Sequence, residues 1–456
     1  MTMQAQAHSR ELPRLRGGLP WLGHALAFKH DPVGFLRHGQ ETAGDAYTFT
    51  LLGQRVVFMS GPSAHRAVFA AREEQLSCRE AYQFMVPILG EGVLYGAEQS
   101  VMEQQMKMVQ GPLTGKQLRA SAPVMVAEAQ AYLDALGEHG ERDLIDMMAE
   151  LTASIASRCL VGPEFRTRLT AELRGLYDDL QEGVQLAGLV NPRLPLPPFR
   201  RRDRARARIV ASIHDIIGER RRPDGQTGPE DMLTNLMSAR YSDGSALSDD
   251  IIAGLLLSMI FAGQHTSAAH GAWTGALLLA HPAWYLRARA EQDQFGAQNP
   301  ELTPANLHRM TVLDQCFKEA ERMYPPLSVL MRVTMSDFDH DGYTVPKGAL
   351  VFVSPGASHR RPDVFRDPDD YCPARFGPGR EEDRLTPYGL IGFGGGQHGC
   401  TGLGFAQQQL KIIWSLLLRQ FDLEAMQPPG PPDQSTFVVK PGKPCMIRYR
   451  RREATP

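Results

Sequence analysis

The sequence predicts a mainly α-helical fold with a small β part. Most of the stretch between about residue 61 and residue 323 repeats apolar residues at three- and four-residue spacing, the period of a helix that is buried on one side. Short β-rich runs bounded by Gly and Pro lie before and after this stretch. No repeat or linker-like segment divides the 456 residues. We therefore expect one domain over residues 1–456, with a disordered polar N-terminus at residues 1–15.

Local signals predict the individual elements in chain order. Residues 13–33 are rich in Pro and Gly and are expected to be irregular, whereas 46–51 and 55–59 predict a β-hairpin around Gly53. Ser248, followed by two Asp, is a good N-cap for the longest helix, which ends before Pro282. Short strands are expected in 327–371, an irregular stretch in 372–402, and a β-rich tail after residue 420. Helical spacing marks the segments 62–72, 116–138, 142–160, 168–187, 200–222, 230–240, 248–281, 304–323 and 403–420.

Composition excludes several classes of protein. The net charge is −2, which gives no general reason to bind nucleic acid. The six cysteines are scattered without a CxxC, so we expect a reducing compartment. Residues 1–16 lack the apolar core of a signal peptide, and the longest apolar run, 251–263, is too short to span a bilayer. We expect a soluble cytoplasmic protein with no transmembrane anchor.

The most informative segment is the loop that runs from Phe393 into the helix at Leu403. Four of the seven residues from Gly394 to Cys400 are glycine, so the backbone can approach a flat group and expose its N–H groups around the sulfur. Cys400 itself precedes a helix N-terminus, which favours a thiolate, and His398 lies two residues earlier. Most free cysteines are simply small buried hydrophobes, but such a residue does not need this setting.

The segment FGGGQHGCTG resembles the haem-binding signature of the cytochrome P-450 monooxygenases at every defined position. The resemblance implies a cytochrome P-450 fold, with haem b lying between the long helix and the cysteine loop. Cys400 would be the axial thiolate ligand of the iron, and thiolate ligation favours O–O cleavage in this family. Phe393 would pack on the same side of the haem, and His398 would bind a propionate.

Two further motifs support the resemblance. Glu319 and Arg322 lie one turn apart on one helix face, and with Arg375 they resemble the family's ExxR network, which would hold the cysteine loop without taking part in chemistry. The segment AGQHTS in the long helix resembles the oxygen-binding segment. There Thr266 would bond the Ala262 carbonyl and open the helix, and would pass protons supplied by His265, because a histidine titrates near working pH. Taken alone, without the cysteine loop, this segment favours a buried helix that contains a satisfied histidine.

The His265-Thr266 pair is similar to the sterol 14α-demethylases, and so is a second region. Residues 82–96, which we call the substrate loop, resemble that subfamily's motif at Tyr82, Pro87, Gly90 and Val93, with Leu89 in place of Phe and Gly96 in place of Asp. The resemblance makes Tyr82, Lys107 and Arg332 propionate partners. It also implies substrate contacts from residues of the loop, the long helix and the β part, which are Tyr82, Phe84, Met85, Leu89, Val93, Tyr95, Phe261, Ala262, Leu327, Leu330 and Met331.

The implied reaction is oxidative removal of the 14α-methyl group of a lanosterol-like sterol with O₂. No dinucleotide-binding fingerprint occurs, so electrons would come from a ferredoxin or flavodoxin with its NAD(P)H-dependent reductase. The substitutions at Leu89 and Gly96 leave a second hypothesis open, in which the protein is a divergent relative that hydroxylates or epoxidises a terpenoid, polyketide or fatty acid. A third hypothesis is a haem-based carrier or sensor without turnover, but such a protein needs no proton relay.

The arginine-rich run 199–208 is interpreted as a solvated helix face.

Overall fold

Helices dominate the computed structural model, which describes residues 10–168, 172–222 and 231–453. The α-helices in these ranges are α1 (Ala25–His30), α2 (Pro32–Ala43), α3 (Pro62–Ala70), α4 (Cys78–Ala81), α5 (Val86–Leu89), α6 (Gln99–Gln110), α7 (Gly115–Asp134), α8 (Leu144–Leu160), α9 (Pro163–Arg168), α10 (Leu173–Glu182), α11 (Pro197–Arg220), α12 (Met232–Ser238), α13 (Asp249–Ala280), α14 (Pro282–Gln298), α15 (Pro304–Arg309), α16 (Thr311–Met323), α17 (Pro355–Ser358), α18 (Glu382–Leu385) and α19 (Leu403–Gln420). The strands are β1 (Ala46–Leu51), β2 (Gln54–Met59), β3 (Leu76–Ser77), β4 (His139–Asp143), β5 (Leu330–Thr334), β6 (Phe338–His340), β7 (Tyr343–Val345), β8 (Leu350–Val353), β9 (Phe421–Ala425), β10 (Gly430–Asp433), β11 (Lys440–Gly442) and β12 (Met446–Arg451).

The long central helix α13 organises the core. Its N-terminus is capped as predicted, because the Ser248 side chain accepts the Ile251 N–H. The helix packs against α8, α11 and α16. It meets α19 closely where Trp414 donates its indole N–H to the Gly271 carbonyl at 3.1 Å, and a Cβ on Gly275 would lie only 2.3 Å from that ring. By length and composition α13 is able to cross a membrane, but 67% of its apolar window is buried inside the protein.

A five-stranded sheet forms the main β part, in the order β1-β2-β8-β5-β3. Strands β1 and β2 form the predicted hairpin, closed by Leu52 and Gly53, whose φ values of 48° and 80° suit a two-residue turn. Strand β8 adds to β2 in parallel, almost three hundred residues later in the chain, and pairs antiparallel with β5. This sheet carries Leu330, Met331 and Arg332, three of the predicted site residues, on β5.

The N-terminal predictions are partly wrong. Residues 10–15 are ordered, because the Arg10 N–H bonds the Gly342 carbonyl and the Leu15 N–H bonds the Thr48 carbonyl; residues 1–9 lie outside the described part of the chain. The stretch predicted to be irregular up to residue 33 contains α1 and the start of α2. Pro32 begins α2, where its missing N–H costs nothing, and Asp31 accepts the Gly34 N–H at 2.9 Å.

Tertiary pairing also changes other segments. Strand β4 follows the predicted helix 116–138 and takes the first two residues of the predicted helix 142–160, because it pairs with β12 from the C-terminal tail. Its residues are mostly exposed and polar, so no alternation of apolar and polar residues predicts the strand. Of the predicted helix at 168–187, residues 169–171 lie outside the described part of the chain. In the remainder, α10 covers Leu173–Glu182 and a 3₁₀ turn follows at Leu186–Leu189. The stretch 372–402 is irregular as predicted, with 3₁₀ turns at Pro373–Phe376 and Gly396–His398 and the one-turn helix α18.

Candidate haem and substrate site

The predicted ExxR network forms at the C-terminal end of α16. The Arg322 guanidinium donates two hydrogen bonds to the Glu319 carboxylate, at 2.8 and 2.9 Å. Arg375, from the 3₁₀ turn at 373–376, donates to both oxygens of the same carboxylate at 3.1 and 3.0 Å. All three side chains are completely buried. One carboxylate is thus shared by two arginines, the paired and fully bonded arrangement that a buried charge requires.

The remaining donors of the two arginines fasten the chain that leads to the cysteine loop. Arg322 donates to the carbonyls of His359, Pro368 and Asp370, at 3.1, 2.6 and 3.1 Å. Arg375 donates to further carbonyls of the same stretch, which are those of Arg366, Asp367 and Asp370. Because this stretch has little regular secondary structure, its carbonyls need partners from elsewhere. The network therefore determines the path of the chain between α17 and the cysteine loop.

His359, which belongs to no motif in the sequence, continues this network. Its Nδ1 lies 3.2 Å from the Arg322 carbonyl, which only accepts, so Nδ1 carries the proton. Its Nε2 accepts the Ile391 N–H at 2.8 Å. Burial, together with the nearby Arg322 charge, lowers the pKa of His359 to about 3. A neutral histidine thus joins the ExxR helix to the chain segment just before Phe393.

We expect acid to destabilise the protein through this contact. The pKa of His359 is 6.5 unfolded and about 3 folded, so its contribution to the free energy of unfolding is complete above pH 6.5 and is lost as the pH falls towards 3. Protonation would also remove the acceptor for the Ile391 N–H. Urea unfolding should show a shallower loss of stability between about pH 7 and about pH 4 in His359→Gln than in the wild type. The same change at the exposed His308 is the control and should leave the pH dependence intact.

The cysteine loop presents the Cys400 sulfur on an accessible surface. The Cys400 N–H bonds the Phe393 carbonyl at 2.9 Å, which closes the loop. Gly396 has a φ of 63°, and a Cβ there would lie 1.9 Å from the Phe69 carbonyl oxygen, so this turn requires glycine. Burial raises the pKa of the Cys400 thiol, although the N–H groups of Gly402 and Leu403 donate to the sulfur and lower it. The N–H groups at the helix N-terminus thus favour the thiolate as predicted, but desolvation of the thiol outweighs them.

The residues around this loop fit a haem. Arg332, on β5, is 5% exposed, and its guanidinium bonds the Met331 carbonyl at 2.8 Å. Among the described residues no carboxylate lies within salt-bridge distance of it, which leaves a buried cation that a propionate would neutralise. On the α13 side, Ala262 is exposed and a Cβ on Gly263 would meet nothing within 4 Å. The site thus offers a sulfur ligand for iron at Cys400, a buried cation at Arg332 for a propionate, and open space beside Ala262 and Gly263. These three features together fit an iron porphyrin.

The other predicted haem partners lie in different environments. His398 places Nε2 at 3.0 Å from the carboxylate of the buried Glu73, so only Nδ1 is left for a propionate. Tyr82 stacks on Tyr95 at 5.2 Å, and burial raises its pKa to about 12, which keeps its hydroxyl a proton donor. Phe393 is half-buried with its ring 6.3 Å from that of His270, and Lys107 is exposed on α6. These roles stay predictions.

The oxygen-binding segment agrees with prediction in one respect and differs in two. The Thr266 hydroxyl donates to the Ala262 carbonyl at 2.6 Å, as predicted, but α13 continues without a break. His265 lies with Nε2 at 3.1 Å from the Tyr177 carbonyl, so Nε2 carries the proton and Nδ1 is an acceptor. Burial lowers the pKa of His265 to about 4. The prediction that it titrates near working pH is therefore wrong, and at that pH the ring is neutral.

Burial divides the predicted substrate residues into two groups. Leu89, Val93 and Met331 are at most 2% exposed and are packed into the core, so direct contact with a ligand would require their displacement. Phe84 is also buried and lines a surface cleft of about 400 Å³ between the substrate loop, the main sheet and the turn at 188–192. The predicted residues that keep accessible surface are Tyr82, Met85, Tyr95, Phe261, Ala262, Leu327 and Leu330.

Comparison with known proteins agrees with this geometry. The Cytochrome P450 family model matches residues 13–448. The chain is 39% identical to the "Sterol 14-demethylase" of Arabidopsis thaliana, covering 97% of this chain and 91% of that one, and 37% identical to the "Sterol 14alpha-demethylase" of Mycolicibacterium vanbaalenii, covering 97% and 98%. A solved structure of retinoic acid-bound cyanobacterial CYP120A1 superposes with a TM-score of 0.85 at 26% identity, covering 97% of this chain and 100% of that one. The chain therefore belongs to the cytochrome P450 family of haem monooxygenases.

Proposed function

We propose that this protein removes the 14α-methyl group of a lanosterol-like sterol in the cytoplasm. The observation that carries the proposal is the similarity to sterol 14-demethylases over nearly the whole chain. Electrons come from a ferredoxin or flavodoxin and its NAD(P)H-dependent reductase, because the sequence contains no dinucleotide-binding fingerprint. The cofactor is haem b, since no CxxC motif is present for covalent attachment.

When bound, the haem supplies the activation of O₂, and the chain supplies ligand, orientation and protons. Cys400 provides the thiolate, while Arg332, His398, Tyr82 and Lys107 bind the propionates. The loop around Cys400 cannot shift easily, because the Glu319 network holds the chain that precedes it. We assign these roles from the chemistry of the side chains at the site, a sulfur for iron and polar or cationic groups for carboxylates.

On the α13 side, Thr266 positions the water that supplies the proton for the reaction. Its hydroxyl donates to the Ala262 carbonyl, so its oxygen lone pairs face the open side of the helix and accept from water. His265 is neutral, with its Nε2–H committed to Tyr177, and so it orients water through Nδ1 rather than acting as a charged acid. Proton delivery therefore passes through hydroxyl and water rather than through imidazolium.

Replacing Thr266 by valine should uncouple electron consumption from product formation. Valine keeps the shape but removes the hydroxyl, and the loss of a positioned proton donor costs at least about 100-fold in rate. The measurement is product formed per NAD(P)H consumed, beside the sterol-induced spectral shift, which should persist. Thr274→Val is a matched control, because Thr274 makes the same bond to the His270 carbonyl at 2.9 Å two turns further along α13. Equal coupling in both variants would contradict the role of Thr266.

A second candidate is oxidation of another apolar polycycle or terpenoid. A Cβ on Gly96 would lie 2.9 Å from the Gly90 carbonyl oxygen and 3.2 Å from a Val86 methyl group, so the substrate loop leaves no room for the larger residue of the sterol subfamily motif. The similar CYP120A1 structure contains retinoic acid, an isoprenoid. These two observations favour a substrate loop that has changed its shape.

An optical titration of the purified protein with lanosterol distinguishes the two candidates. A saturable low-spin to high-spin shift of the Soret band at low micromolar sterol, followed by release of formate on turnover, would support the demethylase. If lanosterol causes no shift while the reduced CO complex still shows thiolate ligation, the pocket has diverged. Terpenoids, including retinoic acid, would then be tested next. A protein that binds sterol without NAD(P)H-coupled product would be a carrier.

A further inference from the structure

The substrate loop is held in place by long polar side chains from two neighbouring helices. From α6, the completely buried Gln105 accepts the Leu94 N–H at 2.6 Å and donates to the Gly92 carbonyl at 2.8 Å. Its Nε2 also lies 3.0 Å from the Tyr241 hydroxyl. Gln105 thereby fixes the end of the loop that lies nearest to α6, and does so inside the core.

Arg206, from α11, holds the middle of the same loop. Its Nε donates to the Ile88 carbonyl at 3.0 Å, and its Nη2 lies 3.5 Å from the Leu89 carbonyl. These carbonyls end the short helix α5 and have no partner within it. A Cβ on Gly90, where φ is 118°, would lie 2.6 Å from Nη2, so the guanidinium lies directly over a residue that only glycine suits.

The environment of Arg206 differs from that of its neighbours in the arginine-rich run. Arg201 and Arg208 pair with acidic residues at the surface, as expected for a solvated helix face. Among the described residues, Arg206 has no carboxylate partner, and both hydrogen bonds from α11 to the substrate loop come from it. A half-buried guanidinium that bonds only carbonyls contributes to the position of those carbonyls.

The opposite side of the loop rests on α13. A Cβ on Gly254 would lie 2.5 Å from the Leu89 carbonyl oxygen and 2.6 Å from a Val93 methyl group, so the loop packs directly on the helix that carries Ala262 two turns later. Helix α11 follows the turn at 188–192, which lines the surface cleft together with Phe84. The loop is thus enclosed between the helix beside the cleft and the helix beside the reaction site.

We propose that Arg206 is a positioning residue for substrate: it ties the substrate loop to α11 and so sets the shape of the pocket that receives the distal part of a long apolar ligand. The proposal rests on the proposed function for the role of the loop in substrate binding and for the identity of the ligand as a sterol. A small ligand that reaches the iron alone does not depend on Arg206, whereas a long one does.

The test compares three ligands on the wild-type holoenzyme and on Arg206→Met, Arg206→Lys and Arg208→Met. The ligands are imidazole, an azole with a long apolar tail, and lanosterol, each followed by its Soret shift. In Arg206→Met we expect about tenfold weaker binding of the long azole and of lanosterol, with imidazole unchanged. Arg206→Lys should recover part of the loss, because it keeps one charged donor, and Arg208→Met should match the wild type.

Equal weakening of imidazole and the long azole, or no weakening of the long azole, would overturn the proposal. If Arg206→Met does not fold, hydrogen exchange of the wild type decides: the long azole should slow exchange in both the 88–94 and 200–210 peptides, whereas protection of the loop alone would contradict the tie to α11. The azole measurements do not require a sterol substrate. A wild type that ignores lanosterol would therefore refute the proposed function without affecting the result for Arg206.

Discussion

Replacing Cys400 by serine is expected to abolish thiolate ligation and monooxygenase activity together. Serine keeps the size and the N–H donors from Gly402 and Leu403, but its oxygen is a hard, far less acidic ligand for iron. The measurement is the spectrum of the reduced CO complex, in which the long-wavelength Soret band of a thiolate-ligated haem should be absent, beside product formation, which should fall below detection.

A cysteine in the same irregular stretch is the matched control. Cys372 accepts a hydrogen bond from Arg380 at 3.3 Å and lies next to the ExxR network rather than at the haem. Cys372→Ser can keep that hydrogen bond, so its CO spectrum and activity should match those of the wild type. If Cys400→Ser kept the thiolate band, or if Cys372→Ser lost it, the assignment of the ligand would be wrong.

Replacing Glu319 by glutamine is expected to destabilise the fold and release haem. The amide leaves the completely buried Arg322 guanidinium without a counter-charge and leaves Arg375 with that of Glu382 alone, and breaking such a buried pair costs about 3 to 5 kcal/mol. The Cys372 N–H, which donates to the same carboxylate at 2.7 Å, loses a charged acceptor as well. Urea unfolding gives the change in free energy, and the ratio of Soret to protein absorbance gives the haem retained.

The control uses a pair with the same spacing at the surface. Glu381 and Arg384 form an exposed ion pair at 2.9 Å, also three residues apart. Because water screens this pair, Glu381→Gln should change the free energy of unfolding by less than about 1 kcal/mol. Comparable losses in the two variants would show that the Glu319 network contributes no more than a surface pair.

The sequence was sufficient wherever function places a small set of residue types close together along the chain. The cysteine loop requires glycine at Gly396, the predicted ligand Cys400 and a helix after it, and all of these lie within ten residues. The Glu319–Arg322 pair follows from helical spacing, and the structure confirms that Arg375 joins it. The cap at Ser248 and the hairpin at Gly53 are local as well. Each of these was predicted because its physical cause lies within a few residues.

Properties that depend on burial, or on a partner distant in the chain, could be determined only from the tertiary structure. Strand β4 exists because β12, about 300 residues later, pairs with it. Glu73 pairs with His398, and Arg206 donates to the Ile88 carbonyl. No sequence motif predicts either contact. The pKa values of His265 and of the Cys400 thiol depart from the sequence-based expectation because desolvation, which the sequence does not display, outweighs the local groups. The amino-acid sequence alone predicted the family, which the comparisons confirm, and Cys400 as the iron ligand, which stays a prediction. Packing decided protonation states, the shape of the substrate loop and which predicted residues remain accessible to a substrate.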